Sequence, residues 1–347
     1  MVRVAINGYG RIGRVAHRVI LAAHQKDADI VAINAGASTD LKGWMYLLQF
    51  DSNYGMLNHQ LSVKPSIDTT KPDFLGELIV DGKTIPVYSQ KDATLLPWGQ
   101  IGIDVVIEAT GHFLTKEKAM AHIIAGARAV VMSAPAKDDT PTFVLSVNEK
   151  AYKHEQIVSN ASCTTNSITP VAKVIDEAFG IEKAMMTTIH AYTSDQQLQD
   201  GGHKDYRRAR AAAHNIVPTS TGATIAASQA YKPLQDKFAG LSLRVPVSVG
   251  SLSDFTFLVK RTVTLDEVND ALIKAASHHA NKHILSVTHD PLVSSDIIGN
   301  SHSAIVDLSL TQVVAGNMVK VVAWYDNEWG YSNRLVEEAI LIGEQLS

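Results

Sequence analysis

The sequence predicts an α/β protein in two parts: a doubly wound parallel sheet, and an α+β region whose sheet is mainly antiparallel. Up to about residue 132, short apolar runs alternate with helical patterns, as in a parallel sheet covered by helices. After Cys163 this alternation stops. Later segments alternate apolar with polar side chains, which is typical of antiparallel strands with one exposed face. We therefore expect one domain at residues 1–162 and 326–347, and a second at residues 163–325.

The elements of the first part follow from apolar patterning. Residues 2–7 and 30–34 are short apolar runs typical of buried parallel strands, and residues 11–23 between them carry helical periodicity. Together they form a βαβ unit. The same alternation then predicts a strand at 104–109, a helix at 115–125 and a strand at 129–132.

The second part begins with a helical pattern over residues 164–179, followed by an apolar strand at 185–189. Residues 192–210 are polar and too irregular for a helix or a strand. Two segments with alternating side chains, 253–260 and 318–324, are predicted as antiparallel strands. The last predicted element is an amphipathic helix over residues 333–346.

Composition and charge exclude several classes of protein. The chain has 347 residues, enough for two domains that bury their cores without disulfides or metal ions. Its formal net charge of -4 gives no general attraction to nucleic acid or a bilayer. The single cysteine excludes an internal disulfide and a cysteine-rich metal site, and it fits a reducing compartment. No apolar run reaches the roughly 18 residues of a membrane span. The N-terminus shows no leader pattern, so we expect a cytoplasmic protein that carries no metal.

A glycine-rich turn follows the first predicted strand. Gly8, Gly10 and Gly13 form the pattern G-x-G-x-x-G between that strand and the first helix. The first glycine permits a tight turn, the second lets a pyrophosphate approach the backbone, and the third allows the helix to pack closely on the strand. Unpaired amides at the helix start then bind the anion. Because the pattern lies in the first βαβ unit, it predicts a Rossmann-type dinucleotide-binding domain.

The end of the second predicted strand departs from the usual dinucleotide pattern. An acidic side chain there would accept hydrogen bonds from the adenine ribose and repel a 2′-phosphate. This chain instead has Asn34, Ala35 and Gly36 at the strand end, and the first acid afterwards is Asp40. Small residues leave room for a phosphate, which makes NADP a candidate beside NAD. The alternative is that Asp40 or a backbone group serves NAD.

The single cysteine is a candidate nucleophile. Ser162 or a neighbouring hydroxyl caps the following helix, so Cys163 falls in its first turn, where the helix dipole favours the thiolate and lowers the pKa of the thiol. A lone cysteine is more often a small core residue, but the polar neighbours Ser162, Thr164 and Thr165 argue against core packing. His190 ends the strand predicted after this helix, and a returning strand would bring its imidazole to the thiol as a general base.

Seven stretches of the sequence occur together in the order of one enzyme family. They read INGYGRIGR, SNASCTTN, IHAYTSDQ, HKDYRRARAA, PTSTGA, RVPV and WYDNEWGYSNR. With these motifs the chain closely resembles glyceraldehyde-3-phosphate dehydrogenase over nearly its whole length. The resemblance implies that Cys163 attacks the aldehyde of glyceraldehyde 3-phosphate, with His190 as general base and NAD or NADP as hydride acceptor. Inorganic phosphate then cleaves the resulting thioester to 1,3-bisphosphoglycerate. The Cys163 amide and His190 would bind the oxyanion.

The resemblance also implies which residues bind the ligands. The substrate phosphate would be bound by Thr193 and Arg244. The inorganic phosphate would be surrounded by Ser162, Thr164, Arg208, Thr221 and Gly222. The cofactor would contact Gly8, Gly10, Arg11, Ile12, Gly13, Asn34, Thr110, Gly111, Ser133, Asn327 and Tyr331, with Asn327 orienting the nicotinamide carboxamide. Arginine forks and hydroxyls are suitable phosphate ligands. Read alone, the arginines at 207, 208 and 210 also fit a solvated basic face or a nucleic-acid patch.

Several positions depart from the family pattern. Ala35 stands where NAD-specific members carry an aspartate, and Gly201-Gly202 stands where they usually have Leu-Pro. Both changes remove bulk or charge that opposes a 2′-phosphate, so we predict that NADP is accepted, alone or beside NAD. Ser194 replaces an asparagine common beside the nicotinamide, and Ser167 replaces a second, non-catalytic cysteine.

Two other functions fit the same motifs. One is erythrose-4-phosphate dehydrogenase, a relative with the same cysteine chemistry, but the intact loop at residues 219–223 favours the triose enzyme. The other is a binding protein without turnover, and the retained nucleophile, base and arginines argue against it. The expected ligands are glyceraldehyde 3-phosphate and inorganic phosphate, in glycolysis or gluconeogenesis, with no membrane and no nucleic acid as the main partner. In the family, the segment 192–210 packs at a subunit interface, so the resemblance implies a homotetramer.

Overall fold

The structure is a computed structural model that describes residues 1–68, 70 and 73–346. These residues divide into two compact units. The first unit contains Met1–Phe143, Ala151–Ala161 and the chain from Ser332 onward. The second contains Val144–Lys150 and Ser162–Tyr331. The functional domain limits expected at residues 162 and 325 stay a prediction.

The first unit is built on an eight-stranded sheet. In chain order its elements are β1 (Val2–Asn7), α1 (Arg11–Val19), β2 (Ala28–Asn34), α2 (Leu41–Gln49), β3 (Phe50–Asp51), β4 (Gly55–Met56), β5 (Leu61–Pro65), β6 (Phe74–Val80), β7 (Lys83–Tyr88), α3 (Trp98–Ile101), β8 (Val105–Glu108), α4 (Lys116–Ile124), β9 (Ala129–Met132) and β10 (Ile157–Ser159). The sheet order is β10-β9-β8-β1-β2-β7-β6-β5, while β3 and β4 form a separate hairpin. A π-helical turn at Ile20–His24 continues α1.

The parallel part of this sheet confirms the predicted doubly wound arrangement. All pairs from β10 to β7 are parallel, and the strands expected at 2–7, 30–34, 104–109 and 129–132 are present and mostly buried. β1 lies at the centre of the sheet, with β2 as its neighbour on one side and β8 as its neighbour on the other, so the strand order reverses at β1. Ligands of such sheets bind at this reversal, beyond the carboxyl ends of the strands. The antiparallel strands β5 and β6 extend the sheet, and the sequence pattern does not predict them because each buries only part of one face.

The second unit contains a seven-strand path of mainly antiparallel pairs. In chain order its elements are α5 (Cys163–Phe179), β11 (Ile181–Ala191), β12 (Val217–Thr219), α6 (Ala223–Ala230), β13 (Phe238–Val245), β14 (Ser251–Val259), α7 (Leu265–Ser277), β15 (Leu285–Thr288), β16 (Ala304–Asp307), β17 (Gln312–Val314) and β18 (Met318–Tyr325). The order is β12-β13-β11-β14-β18-β16-β15, with β17 beside β18. Only the pairs β11–β13 and β15–β16 are parallel, which confirms the mainly antiparallel sheet.

The core of the second unit lies between this sheet and its helices. Side chains from α5, α6 and α7 pack with alternate residues of β11, β14 and β18, such as Met186, Phe255 and Val321. Most of the intervening residues are half-buried or exposed, among them Met185 at 71% and Met318 at 47%. Residues 192–210 contain neither helix nor strand, as the sequence predicts.

The C-terminal helix α8 (Trp329–Gln345) corrects one expectation. The sequence predicts an amphipathic helix with an exposed polar face. In the structure the polar side chains Asn333, Arg334 and Glu338 are all buried, together with Leu335 and Ile342. The polar positions of α8 therefore make internal contacts, which a pattern of apolar spacing does not reveal.

Within the described part of the chain, no helix has the length and apolar character needed to cross a membrane. The cytoplasmic location stays a prediction.

Candidate active site and dinucleotide site

The thiol of Cys163 lies at the start of α5. Ser162 is the N-cap, and its Oγ accepts a hydrogen bond from the Thr165 amide at 3.1 Å, as predicted. Ala161, just before the cap, has a left-handed φ of 56°, which turns the chain from β10 into the helix. The thiol is half-buried. The backbone amides of Cys163 and Thr164 and the Thr164 hydroxyl act on it and favour its charged form.

His190 comes near the end of β11, and its buried ring meets the thiol. Nε2 of His190 lies 3.4 Å from Sγ of Cys163. Nδ1 lies 2.7 Å from the carbonyl oxygen of Ala191. Because a carbonyl oxygen can only accept, Nδ1 carries the ring proton and Nε2 presents its lone pair to Sγ. The pair is therefore arranged for transfer of the thiol proton to the ring.

Burial decides the charge of this pair in the free protein. Burial raises the pKa of the Cys163 thiol, and the charge of Arg244 is the largest influence that lowers it. Burial also lowers the pKa of His190 to about 3, and Arg244 acts in the same direction. Loss of solvation disfavours the charged form of each group. The pKa of the thiol is thus raised in the free protein and not lowered as expected, because desolvation is the largest influence on it.

Arg244 lies beside His190, because the two residues are opposite each other in the neighbouring strands β13 and β11. Its Nη1 donates to Oγ1 of Thr193 at 3.0 Å and to the Ala191 carbonyl at 3.3 Å. Its Nε is buried and has no hydrogen-bond partner among the described residues. A buried guanidinium donor without an acceptor is unfavourable, and a phosphate oxygen would satisfy it. Arg244 and Thr193 therefore form a candidate anion site next to the thiol and the imidazole.

A second arginine, Arg208, is held at the end of β12, shortly before α6 begins. Nε and Nη2 of Arg208 donate to Oγ1 of Thr219 at 2.9 and 2.5 Å, and Nη1 pairs with Asp195. Thr219 ends β12, and the loop after it reaches Gly222, the N-cap of α6. In that loop Oγ1 of Thr221 accepts from the Ala223 amide at 3.1 Å.

The starts of α5 and α6 are neighbours. Oγ1 of Thr165, in the first turn of α5, donates a hydrogen bond to the carbonyl of Ala223, the first residue of α6, at 3.5 Å. Two helix starts carry partial positive charge, which favours an anion near them. The structure thus brings together four of the residues predicted for inorganic phosphate: Ser162, Arg208, Thr221 and Gly222.

Thr164, the fifth of those residues, is placed differently. It is buried, and its hydroxyl lies 3.0 Å from the hydroxyl of Tyr325, which is also 2.8 Å from Oγ1 of Thr188. The ring of Tyr325 meets the ring of His190 edge-on, with centroids 6.1 Å apart. Sequence reasoning missed Tyr325, whose only signal is its place on the buried side of a strand within the WYDNE motif. Thr164 and Tyr325 support the thiol and the imidazole from the interior of the unit.

The side-chain oxygen of Asn327 is held by two hydrogen bonds. Its Oδ1 accepts from the Gly250 amide at 3.1 Å and from Oγ of Ser251 at 2.8 Å. Oγ of Ser251 in turn accepts from the Ala191 amide at 3.1 Å, so the residue after His190 is tied to Asn327. The Nδ2 group of Asn327 is left as the donor for a ligand, as an amide that orients a carboxamide requires. Ser251 was not predicted. Tyr331 is buried near the end of the same unit.

In the first unit, the three fingerprint glycines meet different surroundings, as predicted. A Cβ on Gly8, whose φ is 93°, would lie 2.7 Å from the backbone at Ala109 and Thr110. A Cβ on Gly13 would lie 2.2 Å from the carbonyl of Gly8, so this glycine allows α1 to approach β1. Gly10 has no atom within 4 Å of its Cβ position, and no side chain caps α1. Open space above uncapped amides fits a pyrophosphate.

A buried polar network supports this edge of the sheet. Asn7, Asn34 and Glu108 end β1, β2 and β8. Glu108 accepts from the Asn7 side chain, from the Thr110 amide at 2.7 Å and from the Thr110 hydroxyl. Nδ2 of Asn34 donates to Asn7 at 2.7 Å and to the Gln90 carbonyl at 2.8 Å, while its Oδ1 accepts from the Gln90 amide at 2.9 Å. The Asn34 amide is thus used by the scaffold. Glu108, which sequence reasoning missed, holds the Thr110 loop.

The other predicted cofactor residues of the first unit lie at the same edge. Arg11 begins α1, where its guanidinium pairs with Asp51 and lies 5.2 Å from the Tyr54 ring centroid. Ile12 follows it in the helix, half-buried. Gly111 has a φ of 72°, and the Ser133 amide donates to the Glu108 carbonyl at 2.9 Å. The structure therefore assembles all nine first-unit positions around the carboxyl ends of the parallel strands: Gly8, Gly10, Arg11, Ile12, Gly13, Asn34, Thr110, Gly111 and Ser133.

Comparison with known proteins shows the family of this chain. Residues 2–116 match the family model described as "Glyceraldehyde 3-phosphate dehydrogenase, NAD binding domain", and residues 162–327 match "Glyceraldehyde 3-phosphate dehydrogenase, C-terminal domain". The chain is 49% identical to glyceraldehyde-3-phosphate dehydrogenase 2 of Streptomyces avermitilis, over 99% of both chains. The chain belongs to the glyceraldehyde-3-phosphate dehydrogenase family.

Further members of the glyceraldehyde-3-phosphate dehydrogenase family are similarly close. The Streptomyces coelicolor enzyme is 48% identical and the Mycobacterium avium enzyme 47%, each over 99% of both chains. These matches confirm the resemblance seen in the motifs. They also confirm an α/β fold with an NAD-binding domain followed by a catalytic one.

Proposed function

We propose that this family member oxidises glyceraldehyde 3-phosphate, with inorganic phosphate, to 1,3-bisphosphoglycerate and reduces NAD or NADP. The observation that carries the proposal is the 3.4 Å approach of Sγ of Cys163 to Nε2 of His190, with the ring proton held on Nδ1. A nucleophile and a base in hydrogen-bond reach, with the base oriented by a third group, are what covalent catalysis on a carbonyl needs.

The first bond forms at Sγ. As Sγ of Cys163 attacks the aldehyde carbon, the thiol proton passes to Nε2 of His190, which then donates it to the carbonyl oxygen to give the thiohemiacetal. The Cys163 amide and the protonated ring stabilise the charge on that oxygen during attack. NAD(P), if held at the glycine turn after β1, would supply the acceptor for the hydride of the same carbon. His190 takes back the hydroxyl proton, which leaves a thioester on Cys163 and a protonated ring.

Phosphate completes the cycle. An oxygen of hydrogen phosphate attacks the thioester carbon, the carbon–sulfur bond breaks, and the product leaves as an acyl phosphate. The departing sulfur takes the proton from His190, and one proton is released to solvent. Ser162, Arg208, Thr221 and Gly222 lie where two helix starts and a guanidinium stabilise that anion.

Substrate binding changes the strength of the base. The charge of Arg244 lowers the pKa of His190 and also that of the Cys163 thiol. The phosphate of the substrate, bound by Arg244 and Thr193, offsets this positive charge. The pKa of His190 therefore rises when the substrate is bound, which makes the ring a stronger base, and the pKa of the thiol rises with it.

For the cofactor, we propose that NADP is accepted, alone or beside NAD. The first carboxylate after the end of β2, Asp40, accepts from the Gly43 amide at 2.7 Å as the N-cap of α2. It is therefore committed to that helix, which counts against the alternative that Asp40 serves the adenine ribose. At Ala35 and Gly36 no acidic side chain opposes a 2′-phosphate, and Gly36 has open space at its Cβ position.

The assembly proposed is a homotetramer. The face of the second sheet away from the helices exposes Met185, Leu241 and Met318, and Leu198 and Tyr206 are exposed in the segment 192–210. Apolar patches of this kind mark contact surfaces. Analytical ultracentrifugation is expected to give four chains per particle, and a monomer at working concentration contradicts the proposal.

The test of the reaction is a Cys163→Ser variant assayed for NAD(P)H formation. Glyceraldehyde 3-phosphate, phosphate and each cofactor are supplied, and a covalent acyl-enzyme is sought by mass spectrometry without phosphate. We expect loss of turnover and of the acyl adduct, while cofactor binding followed by fluorescence stays intact and shows that the variant folds. Full activity in the variant refutes the thiol mechanism. A higher kcat/KM for erythrose 4-phosphate than for glyceraldehyde 3-phosphate in the unaltered protein refutes the substrate.

A further inference from the structure

The first unit contains a cavity that the reaction does not use. It lies at the amino ends of β2 and β7, the sheet edge opposite the glycine turn, and it has a volume of about 360 Å³ and is open to the surface. Its walls are largely apolar and include Ile20, Leu21, Ile30 and Ile85. Ligand sites of proteins usually have a volume of this order and apolar walls with few polar groups. We call it the His17 cavity after the polar residue in its wall.

His17 supplies that polar group. Its side chain lines the cavity and is 1% exposed. Its Nδ1 lies 2.6 Å from the hydroxyl of Tyr9, whereas its Nε2 has no hydrogen-bond partner among the described residues. Buried polar groups of folded proteins are nearly always satisfied. Nε2 of His17 is not among the fully buried atoms without a partner, so it is accessible from the cavity, where a ligand atom can reach it.

The contact with Tyr9 decides which proton His17 presents. Tyr9 is buried, and burial raises the pKa of its hydroxyl, so the phenol keeps its proton. That hydroxyl has His17 as its one hydrogen-bond partner among the described residues, and it donates to Nδ1. The ring proton of a neutral imidazole then sits on Nε2. Burial lowers the pKa of His17 to about 3, so the ring stays neutral at physiological pH. The cavity therefore presents one neutral N–H donor.

The three charged side chains that line the cavity are paired, while the amino-terminal residue Met1 also lines it. Lys83 is paired with Asp29, and Asp81 is paired with His59 at 2.5 Å. The wall on the α1 side is the π-helical turn Ile20–His24 that follows α1. Single π turns widen a helix and occur frequently at functional sites.

We propose that the His17 cavity binds a small, neutral and mainly apolar compound whose buried end is a hydrogen-bond acceptor, such as a ketone or amide carbonyl. The carbonyl oxygen accepts from Nε2 of His17, and the apolar part contacts Ile20, Leu21, Ile30 and Ile85. A carboxylate is a poor ligand at the buried end of the cavity, because it loses its hydration there and gains only the neutral N–H of His17.

The test compares three probes of similar shape on the full-length protein. Acetophenone carries the acceptor, ethylbenzene lacks it, and benzoate adds a charge. Affinities are measured by saturation-transfer NMR titration. We expect acetophenone to bind about five times more tightly than ethylbenzene, the factor expected for one net hydrogen bond, and benzoate to bind most weakly. Equal binding of acetophenone and ethylbenzene, tighter binding of benzoate, or no binding of any probe overturns the proposal.

Two variants locate the binding. Leu21→Trp fills the cavity and is expected to weaken acetophenone binding at least tenfold, whereas the control Leu47→Trp on α2 leaves it unchanged. His17→Phe removes the donor, so the preference for acetophenone over ethylbenzene is expected to disappear. Unchanged acetophenone affinity in Leu21→Trp contradicts the site. The dehydrogenase turnover of Leu21→Trp is expected to equal that of the unaltered protein. Turnover therefore tests the proposed reaction, while acetophenone binding tests the cavity.

Discussion

Nε2 of His190 lies 3.4 Å from Sγ of Cys163, and the carbonyl of Ala191, 2.7 Å from Nδ1, holds the ring proton on the opposite side. This relationship makes the ring the acceptor of the thiol proton.

His190→Asn removes the base while keeping a polar side chain. We expect kcat/KM to fall by about 10²–10⁴, the contribution typical of a general base. The control is His214→Asn, at an exposed position, which should leave kcat/KM unchanged. Equal rates in both variants contradict the role of His190.

Arg208 and Arg210 provide a matched comparison of two arginines in one segment. Arg208 donates to Thr219 and pairs with Asp195, while Arg210 forms an exposed pair with Asp200. Arg208→Met removes the guanidinium from the phosphate region, so we expect KM for phosphate to rise by about tenfold or more. Arg210→Met should change it little, since exposed ion pairs contribute about 0–1 kcal/mol.

Initial rates at varied phosphate concentration distinguish the two arginines. If Arg210→Met raises KM for phosphate as much as Arg208→Met does, the position assigned to the inorganic phosphate is wrong.

Ala35 allows a direct test of cofactor choice. It is buried at the end of β2, where its amide donates to the Tyr88 carbonyl at 2.8 Å. Ala35→Asp places a carboxylate where the adenine ribose binds in relatives with an acid there. We expect kcat/KM for NADP to fall by about tenfold or more through charge repulsion, and kcat/KM for NAD to rise. The control Ala37→Asp lies two residues on, at an exposed position. If the unaltered protein already favours NAD by several orders of magnitude, the absence of an acid at Ala35 does not decide the cofactor.

Glu338 makes the stability of the protein depend on pH. Its carboxyl is buried in α8, where Oε2 accepts from the Asn160 side chain and Oε1 has no partner among the described residues. Burial raises the pKa of Glu338 to about 8. In the unfolded chain the pKa is about 4.3. The folded form therefore keeps a proton that the unfolded form releases. The stability from this group is fully present below about pH 4 and is lost as the pH rises to 8.

Glu338→Gln keeps the shape and the acceptor of the protonated carboxyl but does not titrate. Its free energy of unfolding should exceed that of the unaltered protein by an amount that grows from pH 5 to pH 8, on the order of 3 kcal/mol at pH 7. Urea unfolding at several pH values measures this difference, with the exposed Glu182→Gln as control. A constant difference across this range would falsify the linkage.

Local chemistry in the sequence determined the glycine turn, the capped helix start at Cys163 and most of the parallel strands. Each of these depends on neighbours a few residues away: a φ of 93° at Gly8, a hydroxyl at Ser162, or a buried apolar run. The order of the motifs also determined the family. Such features depend on a few consecutive residues, and patterns of residue type predict the structure of short segments well.

Tertiary structure alone decided how those segments are used. It set the tautomer of His190 through the Ala191 carbonyl, placed Tyr325 behind the thiol and the ring, and assigned the Asn34 amide to Asn7 and Gln90. It also reversed the expected shift in the pKa of Cys163. Burial, desolvation and hydrogen-bond partners depend on residues that are distant in sequence and adjacent in space. The thiol was identified by its own sequence neighbours, and its protonation was decided by the fold around it.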